Sequence, residues 1–160
     1  MKKIITILSL SVGLLSSSAW AFQTIVLVRH AEKVDESRDP LLSTQGQKRA
    51  QDLSRVLRDA DIGQVYVTEF QRTQATGKPL ADLRQLPLTP YSAKESLALG
   101  AQLRDSKKNT LVVGHSNTIN TVLKGLGIDN MAPVADDEFD RLVIVTLSKD
   151  RVPSVTLLRY

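Results

Sequence analysis

The sequence has no cysteine and only two histidines, His30 and His115, among its 160 residues. The first absence excludes disulfides, thiolate metal sites, a cysteine nucleophile and a lipid-modified cysteine anchor. The second means that any histidine chemistry must use those two side chains. There is also no GxxxxGK[ST] phosphate loop, no HExxH zinc motif and no GxSxG elbow, so three common routes to hydrolysis lack a footing. Internal repeats and low-complexity tracts are missing as well. The excess of positive charge is small: the formal charge is +4, and Lys2 and Lys3 supply two of those charges. So small a surplus does not argue for nucleic acid as a partner and suits an arginine-lined anion pocket better. What is present is 42% hydrophobic residues, enough for a real core in a chain whose length fits one domain.

The N-terminus reads as an export signal. Lys2 and Lys3 precede an apolar run from Ile4 to Leu15, and Ala19-Trp20-Ala21 places small residues at the two positions a signal peptidase reads. The run is shorter than the ~20 residues a spanning helix needs, which favours cleavage after Ala21 over a retained membrane anchor. The expectation is a signal peptide at 1–21, a mature domain at 22–160, a periplasmic location and no stable membrane association. A cysteine-free domain needs no oxidative folding there.

Hydrophobic patterning predicts alternating strands and helices. Gln23 to Val28 and Thr110 to Val113 are β-branched apolar runs without alternation, as in strands buried on both faces. Val65 to Val67 is a short strand. Leu86 to Tyr91 is extended, and Pro87 and Pro90 assign it to a sheet edge. Helices are predicted from a cap at Ser43 or Thr44 to about Arg58, from near Gln71 with an interruption or restart at Pro79, and from Ser92 to Arg104 with Leu97, Ala98, Ala101 and Leu103 inward. A fourth is predicted from a cap at Ser116 or Asn117 to Leu126, stopped by Gly127. Leu142 to Leu147 and Val152 to Leu158 close the chain as a hairpin. The sum is an α/β three-layer sandwich with a mainly parallel central sheet and helices on both faces.

In such sheets ligands bind beyond the carboxyl ends of the strands. Arg29-His30 follows the first buried strand directly, Gly114-His115 follows the TLVV strand, and Arg72 lies a few residues after the VYV strand. A parallel sheet brings all four to one edge. Two guanidiniums can grip phosphate oxygens, a neutral imidazole can attack phosphorus, and a second, protonated imidazole can donate to the phosphoryl oxygens. Nearby arginine charge is expected to keep the nucleophile neutral. Neither a metal nor an organic cofactor is called for.

These residues sit in segments that resemble the histidine phosphatase, or phosphoglycerate-mutase-like, superfamily. The segments are Leu27-Val28-Arg29-His30-Ala31-Glu32-Lys33, Leu42-Ser43-Thr44-Gln45-Gly46, Arg72-Thr73-Gln74-Ala75-Thr76 and Gly114-His115-Ser116-Asn117-Thr118, in the expected order. The resemblance is to a small exported branch without a large inserted cap. It implies a phosphoglycerate mutase-like fold, His30 as nucleophile, Arg29 and Arg72 as phosphate ligands, and His115 completing the pocket. It also implies a carboxylic acid ahead of the second histidine's strand. Glu95 is the first candidate and Glu32 the second; Ser116 stands where larger branches carry an aspartate after the second histidine. If neither serves, substrates with labile phosphoryl bonds fit: a phosphoramidate, or an acyl or aryl phosphate.

The function expected is therefore a metal-independent phosphatase acting on a small phosphorylated substrate, such as an envelope sugar phosphate or a phosphoprotein. The alternatives are a non-catalytic anion-binding relative, a phosphomutase, and a metal hydrolase using His30, His115 and Glu32. Asp136-Asp137-Glu138 with Asp140 reads as a solvated turn or a divalent-metal loop. Lys33, Arg38 and Lys78 are basic candidates for the rim.

Overall fold

The computed structural model describes residues 22–160; the signal-peptide reading of 1–21 lies outside the described residues. The elements run β1 (Gln23–Arg29), α1 (Thr44–Val56), β2 (Gln64–Thr68), α2 (Gln71–Arg84), β3 (Leu88–Tyr91), a 3-10 turn (Ala93–Glu95), α3 (Ser96–Asp105), β4 (Thr110–Gly114), α4 (Ser116–Gly125), β5 (Arg141–Leu147) and β6 (Pro153–Arg159). They build a six-stranded sheet in the order β3-β2-β4-β1-β5-β6. The first four strands of that order are mutually parallel, and β5 and β6 add antiparallel at the far edge.

The lack of alternation in β1 and β4 has a direct structural cause. Ile25, Leu27 and Val112 face one core with Leu99, Leu103, Ile119 and Leu123 from α3 and α4. Val26, Val28, Leu111 and Val113 face a second core with Leu53 and Leu80 from α1 and α2. Each strand is thus buried on both sides, which is the doubly covered sheet expected from the sequence.

Three local expectations are corrected. Pro79 does not interrupt α2, which runs unbroken from Gln71 to Arg84. A helical proline forfeits one backbone hydrogen bond, but the flanking residues Gly77, Leu80 and Ala81 are buried and hold the helix on the sheet. In α3 the inward residues are Leu99, Gly100 and Leu103, while Leu97, Ala98 and Ala101 are exposed. The face is set by a close helix crossing: a Cβ on Gly100 would lie 2.2 Å from the Val122 carbonyl oxygen and 2.8 Å from Gly125 Cα. The cap of α4 is His115 rather than Ser116 or Asn117, with Thr118 Oγ1 accepting from the His115 amide at 2.8 Å. Ser43 caps α1 as expected, accepting from Gly46 N.

Candidate active site

Parallel pairing places the two histidines side by side. Arg29 is in register with Gly114, so β1 and β4 end together and release His30 and His115 at the same edge. The His30 amide donates to the Gly114 carbonyl at 2.9 Å, and the two imidazole centroids are 5.3 Å apart. Both side chains are buried. One turn of α2 adds Arg72, and a relay ties that helix to the nucleophile candidate. The Ala31 amide donates to Thr76 Oγ1 at 3.0 Å, and that hydroxyl donates to the Arg72 carbonyl at 2.8 Å.

Each arginine is stacked on a phenylalanine. The Arg29 guanidinium lies 4.2 Å from the Phe139 ring centroid and that of Arg72 lies 4.4 Å from Phe70. Arg29 also donates to the Ala135 carbonyl at 3.0 Å. Arg72 donates weakly to the Arg38 carbonyl at 3.4 Å and faces Asp39 at 3.6 Å. These contacts leave donors spare: Nε of both arginines is buried without a hydrogen-bond partner. Two buried cationic donors without protein partners beside two imidazoles suit an anion; of the two arginines, Arg72 lines the cavity over the site and Arg29 does not.

The proton positions at His30 follow from its partner. Nδ1 lies 2.8 Å from the Ala31 carbonyl oxygen, which can only accept, so Nδ1 carries the hydrogen and Nε2 keeps its lone pair. Burial is the main cause that lowers the His30 pKa from 6.5 to about 3; the bond to Ala31 opposes it, and His115, Arg29 and Arg72 lower it further. His115 is lowered to about 4, again by burial first and then by Arg72. Desolvation, not arginine charge, is therefore the larger reason that both rings are neutral near pH 7.

The sign of that effect gives a prediction. An unfolded histidine takes its proton near 6.5, while these two take theirs only near 3 and 4. Between those values the unfolded chain binds more protons, so stability is present above about 6.5 and is lost as pH falls through that window. Thermal melts from pH 7 to pH 4 should show a falling Tm, with a shallower slope in His115→Gln. An identical slope would mean that His115 titrates freely in the folded protein.

A cavity of about 790 Å³ opens over these groups, lined by His30, Arg72 and His115 at its base and by Phe70, Lys94 and Asn117 among its walls. Glu95 does not line it. Its side chain is exposed, and its neighbours Ala93 and Lys94 face the cavity instead. Glu32 is also turned away: its carboxylate accepts from Arg49 Nη2 at 2.7 Å, from Arg49 Nε at 2.9 Å and from Gln45 at 3.0 Å. That pair, rather than Lys33 or Arg38, is its partner. Arg49 reaches on to the Tyr160 carbonyl at 2.9 Å, so Glu32 fastens the segment after His30 to the C-terminus. Lys33 and Lys78 are tied to Glu36 and Asp82 and stand off the cavity, which leaves Lys94 as its rim lysine.

The acidic loop is neither a bare solvated turn nor, among the described residues, part of any cluster of three or more metal-ligating side chains. Ser116 donates to Asp136 at 2.9 Å, while Glu138 pairs with Arg141 and Arg159, so the loop is fastened over the site where Ala135 and Phe139 hold Arg29. Sequence reasoning missed Thr68, Phe70, Phe139 and Lys94. For Thr68 and Phe70, their place just after a buried strand, within five residues of Arg72, was the available signal.

A parallel-sheet edge carrying paired histidines and two arginines with unpartnered Nε atoms is an arrangement suited to an anion. A model of the histidine phosphatase superfamily (branch 1) matches residues 25–98, a little under half of the 160 residues. No curated protein sequence matches it. Among solved structures it is similar to the protein histidine phosphatase SixA complexed with tungstate, at 18% identity and a TM-score of 0.66 over 86% of this chain and 97% of that one. It is similar to a mycobacterial glucosyl-3-phosphoglycerate phosphatase at 12% identity and a TM-score of 0.69, covering 87% and 98%. A phosphoserine phosphatase from Entamoeba histolytica in complex with 3-phosphoglyceric acid gives 13% identity and a TM-score of 0.63, covering 86% and 97%. At these identities the likeness is one of fold: the phosphoglycerate mutase-like sandwich with nothing large inserted.

Proposed function

We propose that the protein is an exported, metal-independent phosphatase that works through a phosphohistidine on His30. The observation that carries this reading is the unprotonated Nε2 of a neutral, buried His30, fixed by its Nδ1 bond to Ala31 and within the field of Arg29 and Arg72, each with an unpartnered Nε. Arg29 and Arg72 bind the non-bridging oxygens. Nε2 of His30 bonds to phosphorus as the bond to the leaving group breaks. Water then attacks the phosphohistidine, releasing phosphate and returning the electron pair to Nε2. Quenching a reaction with p-nitrophenyl phosphate should trap protein-bound phosphate that is labile in acid and stable in base. A protein that binds tungstate but never acquires this phosphate would be the anion-binding relative instead.

The leaving-group side supports a narrower substrate class. Among the described residues no carboxylate lines the cavity, and Glu69, which faces His115 from the end of β2, is held by the Ala93 amide at 3.1 Å, so no carboxylic acid is set against a leaving alkoxide. Phosphoramidates and aryl phosphates, whose leaving groups need little help or carry their own proton, should be turned over at least ~10²-fold faster than glycerol phosphate. Glu95→Gln should leave that ratio unchanged. A selective loss of alkyl phosphate turnover in Glu95→Gln would restore Glu95 as the acid. Export rests on the Lys2 to Ala21 pattern, and mass analysis of the mature N-terminus tests it: Phe22 is expected.

A further inference from the structure

Three short contacts behind His115 share too few hydroxyl hydrogens. Thr73 Oγ1 lies 2.8 Å from the Phe70 carbonyl oxygen, Thr68 Oγ1 lies 2.8 Å from Thr73 Oγ1, and His115 Nε2 lies 3.1 Å from Thr68 Oγ1. Both threonines are fully buried, so no water supplies another donor. Thr73 Oγ1 also lies 3.2 Å from the Thr68 carbonyl oxygen, and both carbonyls can only accept, which commits the Thr73 hydrogen to them. The Thr68–Thr73 contact then takes the hydrogen of Thr68. Nothing is left for the third contact except a hydrogen on His115 Nε2 itself. The neutral ring therefore carries its single hydrogen toward Thr68, away from any ligand, and Nδ1 holds only a lone pair.

We infer that the buried Thr68–Thr73 chain fixes His115 as the Nε2–H tautomer and so makes capture of a phosphoryl dianion depend on uptake of a proton at His115 Nδ1. This rests on the reading of the site as a phosphate pocket. A bare Nδ1 repels an oxyanion, and only the imidazolium can donate to one while keeping its bond to Thr68. The charged groups that face His115 are Arg72 from α2, Arg29 and His30 from the end of β1, and Glu69 from the end of β2. The arginines resist protonation of the empty site. An arriving dianion offsets them, so proton and ligand enter together. Thr68 and Thr73 are positioning residues in this scheme.

Tungstate is the suitable probe because it stays a dianion across neutral pH and does not itself titrate. Calorimetry near pH 7.5 in two buffers of different ionisation enthalpy gives the protons taken up per tungstate bound. Thr68→Val removes the acceptor at Nε2, lets the neutral ring place its hydrogen on Nδ1, and should lower the uptake by about one proton relative to the parent. Any uptake by His30 cancels in the difference, since Ala31 holds its Nδ1 hydrogen in both proteins. Thr73→Val gives the same answer by another route: it frees the Thr68 hydrogen to donate to Nε2, which also moves the ring hydrogen to Nδ1. Thr68→Ser, which retains the hydroxyl, should restore parental uptake. Equal uptake in the parent and both valine variants, with tungstate bound in each, overturns the inference while leaving the phosphate pocket intact. Failure of the parent to bind tungstate overturns the pocket itself, and the inference with it.

Discussion

His30→Ala should abolish phosphatase turnover, by about 10⁴-fold or more, and leave a folded protein. The argument has two parts. The imidazole supplies an unprotonated Nε2 whose geometry is fixed beside both arginines, through Ala31 on its Nδ1 side and Gly114 on its backbone. No cysteine exists to replace it, and His115 has its Nε2 committed to Thr68. On the structural side, His30 follows the last residue of β1 and belongs to neither large apolar core. Its removal deletes one side-chain hydrogen bond and two ring contacts, with His115 and Phe139, so a stability change of about 1 kcal/mol is expected. Steady-state assays with p-nitrophenyl phosphate, paired with thermal melts, read both parts. Turnover within ~10-fold of the parent is incompatible with covalent catalysis at this residue.

How much of this was legible depended on whether the deciding force acts along the chain or across it. Runs such as QTIVLV and TLVV announce burial on both faces because every residue after Gln23 is apolar or β-branched, and the sheet bears that out. Arg29, His30 and His115 stand directly after those runs, so their convergence followed from topology alone. The inward face of α3 did not, since the Gly100–Gly125 crossing decides it and apolar spacing does not encode a contact with another helix. Glu95 was misplaced by the 3-10 turn at Ala93–Glu95, which presents Ala93 and Lys94 to the cavity and sends the next side chain outward. Thr68 lies one residue past the predicted strand Val65 to Val67 and drew no reading; its place behind His115 emerges only when the hydrogens around that ring are counted. Phe139 enters from a loop, more than a hundred residues after the arginine it supports.

The largest effect on folding is expected at Gly100. A Cβ there would meet Val122 O at 2.2 Å, Gly125 Cα at 2.8 Å and Gly125 C at 3.0 Å. All three are backbone atoms of α4, so no flexible side chain can swing aside, and the helices themselves must separate. The contact is reciprocal: a Cβ on Gly125 would lie 2.3 Å from Leu97 O and 2.8 Å from Gly100 Cα. Separating α3 from α4 loosens the core shared by Leu99, Leu103, Val122 and Leu123. It also shifts the helix whose N-cap is His115, so the site is displaced along with the packing. Gly100→Ala should cost about 3 kcal/mol, lowering Tm by about 10 °C. Gly100→Val should exceed that and leave little folded protein, given typical total stabilities of ~5–15 kcal/mol. Gly63 provides the control, since the nearest atom to a Cβ there is Asn109 O at 3.9 Å and its φ is not in the left-handed region. Gly63→Ala should therefore melt within about 2 °C of the parent. Comparable melting of the Gly100→Ala and Gly63→Ala variants would show that the two helices can part without cost, and that the close crossing does not set the face of α3.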